Sequence, residues 1–118
     1  SVDDHPHLLN GHIRELFDAF TREVTALDPC VSEEFLKLYV AYKAETNFAD
    51  VVPQAKALRI SINIDLADLH DPHSMAIDVS DVGRWGNGNT EVKLKEIAQL
   101  PYVIGLVRQA MDRQIGGD

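Results

Sequence analysis

Apolar residues recur near the start of the chain at spacings of three and four: Leu9, Ile13, Leu16, Phe17, Phe20, Val24 and Leu27. That spacing draws one apolar stripe along an α-helix over residues 8–27. Asp28-Pro29 ends it, because a residue before proline is pushed out of the helical region. Residues 33–37 are read as one further short helical turn. The period then changes to two. Leu36, Leu38, Val40 and Tyr42 fall on one face of an extended segment, and Lys37, Tyr39 and Lys43 on the other, as in a half-buried strand. Residues 47–53 form a second strand, with Pro53 confining it to an edge or marking its end.

The cleanest alternation is at 57–65, where Leu58, Ile60, Ile62 and Ile64 point one way and Arg59, Ser61, Asn63 and Asp65 the other. Residues 66–83 are polar and keep no sustained period, and a loop of that length in a compact domain tends to be functional or mobile. Alternation returns at 90–95, with Val92 and Leu94 inward and Glu91, Lys93 and Lys95 outward. Leu100, Val103, Ile104, Val107 and Met111 predict a closing helix over 100–113, and Pro101 falls in its first turn, where proline is tolerated. Helices at both ends and strands between them predict an α+β fold: a mostly antiparallel sheet of about four strands packed against N-terminal and C-terminal helices. A parallel doubly wound sheet would need helices between the strands. The domain is expected over 8–113, with tails at 1–7 and 114–118. The polar ends suggest a domain cut from a longer protein.

Composition narrows the partners. With 118 residues, 45% apolar and 25% charged, the chain is ordinary for one globular domain. A net charge of −8 argues against a broad grip on phosphates, so any nucleic-acid contact must be a local basic patch. Cys30 is the single cysteine, which excludes an internal disulfide and suits a reducing cytoplasm. No apolar run reaches membrane-spanning length, so no membrane partner is expected.

Arg84 and Trp85, set between Gly83 and Gly86, are the sharpest binding candidates. Tryptophan offers a flat stacking surface, and arginine can fork onto phosphate, carboxylate or a guanine edge. The competing reading is architectural: Trp85 plugs the edge of the core and the glycines let the chain turn. Residues 86–89, Gly-Asn-Gly-Asn, match neither a P-loop nor a dinucleotide fingerprint, and a turn explains them, so no cofactor is expected. Lys37, Tyr39 and Lys43 interleave basic and aromatic groups, and with Arg59 and Arg84 they would make a small basic patch if the fold brings them together. His70, Asp71 and His73, near Asp65, Asp68, Asp78 and Asp81, raise a metal site, but the spacing fits no zinc or EF-hand pattern and none is expected. The serines and Cys30 sit in no nucleophile context.

The ordered stretches "LYVAYKAETNFADVVPQAKALRISINI", "DP", "AIDVSDVGRWGNGNTEVKL" and "VIGLVRQAMD" resemble a bacterial domain of unknown function, the "predicted transport protein" family, over roughly residues 8–113. In that family the module often lies C-terminal in longer chains, among them restriction-type endonucleases with ParB-like and HNH regions and NucS-like endonucleases. The resemblance implies an accessory or recognition module in a defence or DNA-processing protein, with a nuclease domain of the same chain or a nucleic acid as its partner. The alternative is a small-ligand-binding or metal-dependent enzyme domain that uses residues 65–85. Where the family commonly reads Gly-His-Trp-Gly, this chain has Gly83-Arg84-Trp85-Gly86. Arginine stays protonated, so the exchange preserves binding and excludes acid–base work at that position.

These readings separate by mutation. Arg84→Ala should leave stability within about 0.5 kcal/mol, as a surface change does. Trp85→Ala should cost roughly 3 kcal/mol if the indole is packed. Thermal melts of the two variants check both.

Overall fold

The computed structural model describes residues 4–81 and 88–116. Arg84 and Trp85 therefore lie outside the described residues. Helix α1 spans Gly11–Thr25. Six strands follow, β1 Ser32–Phe35, β2 Val40–Lys43, β3 Asn47–Pro53, β4 Leu58–Ile62, β5 Ile77–Asp78 and β6 Thr90–Leu94, and then helix α2, Leu100–Gly116. The strands form one sheet in the order β1-β2-β3-β4-β6-β5, and each neighbouring pair is antiparallel. Both helices pack on the same face of this sheet, an α+β arrangement with one core.

The core follows from the two periods. Ile13, Leu16, Phe17, Phe20 and Val24 of α1 and Val103, Ile104, Val107, Ala110 and Met111 of α2 meet Val40, Val51, Leu58, Ile60, Ile62, Val92 and Leu94 of the sheet. Asn10 starts α1 by accepting hydrogen bonds from the His12 and Ile13 amides, which have no partner within the helix. The helix begins later than the apolar spacing implied. Leu9 falls in a separate 3-10 turn, Pro6–Leu9, and is 82% exposed, whereas Leu8 beside it is buried. A reciprocal capping box between Glu96 and Gln99 leads into α2.

Two strands exceed the expected four. Residues 32–35, part of which reads as a helical turn, form edge strand β1, and Ile77–Asp78 form a two-residue strand inside the aperiodic segment. The alternation over 36–42 is not one strand either. The chain reverses between Phe35 and Val40, the Leu36 amide donates to the Tyr39 carbonyl, and Leu38 is largely exposed. Lys37 and Tyr39 thus sit in a hairpin turn. Two-residue periodicity can run through a tight turn unbroken, because it records residue type and not backbone direction.

Tyr42, fully buried, shows how the hairpin closes onto α1. Its hydroxyl donates to Glu33 Oε2 at 2.8 Å and lies 2.8 Å from Thr21 Oγ1, which donates to the same carboxylate oxygen at 2.9 Å. The ring meets Phe20 edge-on, with centroids 5.5 Å apart. Burial pushes the phenol far above its ordinary value. A register shift opposite Tyr42 and Lys43 inserts Phe48 as an extra residue in β3, which places Phe48 in the core and leaves Asn47 opposite Lys43.

Gly88 explains part of the Gly-Asn-Gly-Asn run. A Cβ there would lie 2.4 Å from the Ile62 carbonyl oxygen, so the chain can pass the end of β4 only as glycine. Beyond it, Asn89 Nδ2 donates to Asp65 Oδ1 at 2.6 Å and Thr90 Oγ1 donates to the Ile64 carbonyl at 2.5 Å, which fixes where β6 starts.

Ile62→Asp should unfold the domain. The side chain is fully buried, and a buried charge without a partner costs several kcal/mol, comparable to the whole stability of a small domain. Loss of a cooperative thermal transition is the expected reading.

Candidate functional site

Strand register determines which side chains face away from the helices. One row across the sheet runs Glu34, Ala41, Asp50, Ser61, Glu91 and Ile77, and the next runs Val52, Arg59 and Lys93. Asp50, Ser61 and Glu91 are nearly inaccessible, at 1%, 4% and 3% exposed. Charge buried this deeply needs compensation. Asn47 Nδ2 donates to Asp50 Oδ1 at 2.7 Å, and Arg59 Nε stands 3.8 Å from Glu91 Oε1. The Arg59 side chain is only 15% exposed, and among the described residues its Nε has no hydrogen-bond partner.

Arg59 and Lys93 are direct cross-strand partners on this face. Like charges in such a pair, with Cβ atoms roughly 5 Å apart, destabilise a sheet. Glu91 offsets that repulsion on the Arg59 side, while Lys93 is exposed. Lys43 shares the face and donates to Glu34 at 2.8 Å, an exposed pair that raises its ammonium above the ordinary value. Beside the Arg59–Lys93 pair is a cavity of about 360 Å³ lined by Met75, Ile77, Glu91, Lys93, Lys95 and Gln99.

Of the residues singled out in the sequence, Lys43 and Arg59 come onto one sheet face, and Lys37 and Tyr39 stand in the β1–β2 turn. Lys93 and Lys95, outward strand positions by their alternation, supply the basic side chains of the cavity lining. Glu91, also expected outward, is buried. A sequence signal for Asp50 exists, since it is the lone charge in the run Phe48-Ala49-Asp50-Val51-Val52.

His70, Asp71 and His73 clamp the 65–81 segment to α2. The Asp71 carboxylate accepts the Met75 and Ala76 amides at 3.2 and 2.8 Å and the Tyr102 hydroxyl. Tyr102 in turn accepts the His73 amide at 2.9 Å, and the two rings stack with centroids 4.2 Å apart. His70 exchanges two hydrogen bonds with the Gln109 amide, each 2.8 Å. The two histidines are tied down through their backbone groups and Asp71 through its carboxylate, and no group of three or more His, Cys, Asp or Glu converges among the described residues.

The chain is thus a small α+β domain whose helix-free sheet face carries a short cationic row beside a cavity. It belongs to a family described as a domain of unknown function, DUF5655, whose pattern it matches over residues 5–114. It is 37% identical over 108 residues to a Haemophilus influenzae protein described as an uncharacterized protein, covering 92% of this chain and 36% of that one. The chain therefore spans about a third of that relative. No solved structure matches it. The restriction-type and NucS-like setting belongs to the longer chains resembled and is carried by neither match. Among the described residues, no helix is long and apolar enough to cross a membrane.

The clamp makes a pH-dependent prediction. Burial raises the Asp71 carboxyl, but hydrogen bonds from Tyr102, Ala76 and Met75 outweigh it and hold the group below its ordinary value. The folded state prefers the carboxylate, so this contribution is complete above the ordinary carboxyl pKa of about 3.9 and is lost as pH falls through the lower folded value. Asp71→Asn should cost roughly 1.5 kcal/mol at pH 7, the scale of a hydrogen bond to a charged group. The gap to wild type should narrow as pH falls below the ordinary carboxyl range, which denaturation curves across pH check.

Proposed function

We propose that this domain is a non-enzymatic recognition module of a bacterial defence or DNA-processing protein, reading a nucleic-acid feature with the sheet face that carries Lys43, Arg59, Lys93 and Lys95. The observation that carries the reading is the direct pairing of Arg59 with Lys93 on that face. Two cations held abreast cost stability in the free domain, and a phosphate placed between them removes the repulsion and releases counterions. The chain's net charge of −8 keeps such a contact local. In a longer protein the module would accompany a nuclease domain and hold it on its substrate. Docking of that domain onto the same face is the competing outcome.

Binding of a fluorescein-labelled oligonucleotide, titrated between about 50 and 200 mM salt, tests this. Two or three phosphate contacts give a slope of log affinity against log salt of roughly −2 to −3. Lys93→Ala should flatten that slope by about one and weaken binding, while the melting temperature stays the same or rises slightly because the repulsion with Arg59 is gone. Absence of binding at about 100 µM protein, where even non-specific complexes form, would overturn the reading.

A further inference from the structure

The cavity next to the cation pair narrows the kind of nucleic acid. Its lining is chemically mixed: Lys93 and Lys95 are basic, Met75 and Ile77 are apolar, and Glu91 is a single acid. Ile77 lies on the two-residue edge strand β5 and is 53% exposed, so its side chain is open to a ligand in the cavity. Gln99 stands at the rim with its Oε1 committed to the Lys95 and Glu96 amides, which fixes the side chain. The Glu91 carboxylate also stands 3.8 Å from Arg59 Nε, so part of its charge is already matched.

A bare phosphate would use the lysines and leave Met75 and Ile77 wet. A duplex offers phosphates, but its base faces are stacked on one another and cannot reach an apolar wall. An unpaired nucleotide brings both groups at once, a flat apolar base face and an adjoining phosphate. About 360 Å³ falls at the small end of ligand cavities, room for one nucleotide and not for a run of stacked bases. From this we infer that the cavity takes a single unpaired nucleotide, with the base against Met75 and Ile77 and its phosphate between Lys93 and Lys95. This rests on the nucleic-acid reading above and adds strand state to it: the domain recognises single-stranded or flipped-out positions.

The test compares a labelled single-stranded octanucleotide, the same sequence as a blunt duplex, and a deoxynucleoside 5′-monophosphate as competitor. Wild type should bind the single strand at least fivefold tighter than the duplex, and the mononucleotide should compete only at far higher concentration. Ile77→Ser should weaken single-strand binding roughly five- to tenfold, the lower range for loss of one stacking contact, and leave duplex binding and the melting temperature unchanged. Met75→Ala should act in the same direction, so the inference does not hang on one variant. Equal affinity for duplex and single strand, or an Ile77→Ser protein that binds like wild type, overturns the single-nucleotide cavity while the broader reading stands. A mononucleotide that binds as tightly as the octamer keeps the cavity assignment but overturns nucleic acid as its source. Binding of none of the three overturns both.

Discussion

If β4 slipped by one residue against β3 and β6, Ile60 and Ile62 would turn to solvent and Arg59 and Ser61 into the core. The observed register prevents this by pairing Val51, Ile60 and Val92 across three strands beneath the helices. The same pairing sets Arg59 against Lys93 on the opposite face and puts Ser61 between Asp50 and Glu91. Core and site are thus two faces of one hydrogen-bonding pattern. The register has its own anchors, since Gly88 lies against the Ile62 backbone and Thr90 bonds the Ile64 carbonyl, so the start of β6 is tied to the end of β4.

Strand β4 was fully legible because its side chains alternate without exception and its apolar set is β-branched or leucine. Both helices were legible for the same kind of reason, although Leu9 extended the spacing past the true start of α1. The hairpin at 36–39 was not legible. Lys37, Leu38 and Tyr39 keep the strand period while the backbone reverses, and no glycine, asparagine or proline marks the turn. Strand β5 escaped because two residues cannot establish a period, and its existence depends on pairing with β6.

The site was less legible than the fold. Lys43 and Arg59 could be picked as outward cations, but neither the pairing of Arg59 with Lys93 nor the burial of Asp50 and Glu91 can be read locally. Both arise between strands distant in sequence. The histidines and aspartates of the 65–81 segment illustrate the converse. Their density raised a metal site that their spacing did not fit, and in the fold Asp71 accepts two amides and the Tyr102 hydroxyl while the His73 ring stacks on Tyr102. A polar segment with no period can serve to hold itself to a helix.

The central claim is that the sheet face carrying Lys43, Arg59 and Lys93, and not the helical layer, is where this domain meets its partner. The most direct measurement is a two-dimensional amide NMR titration with a short single-stranded oligonucleotide. The account predicts shift changes grouped at Lys43, Arg59, Lys93, Lys95 and Ile77, with α1 and α2 unmoved. Changes centred instead on the exposed sides of α1 and α2 would contradict it.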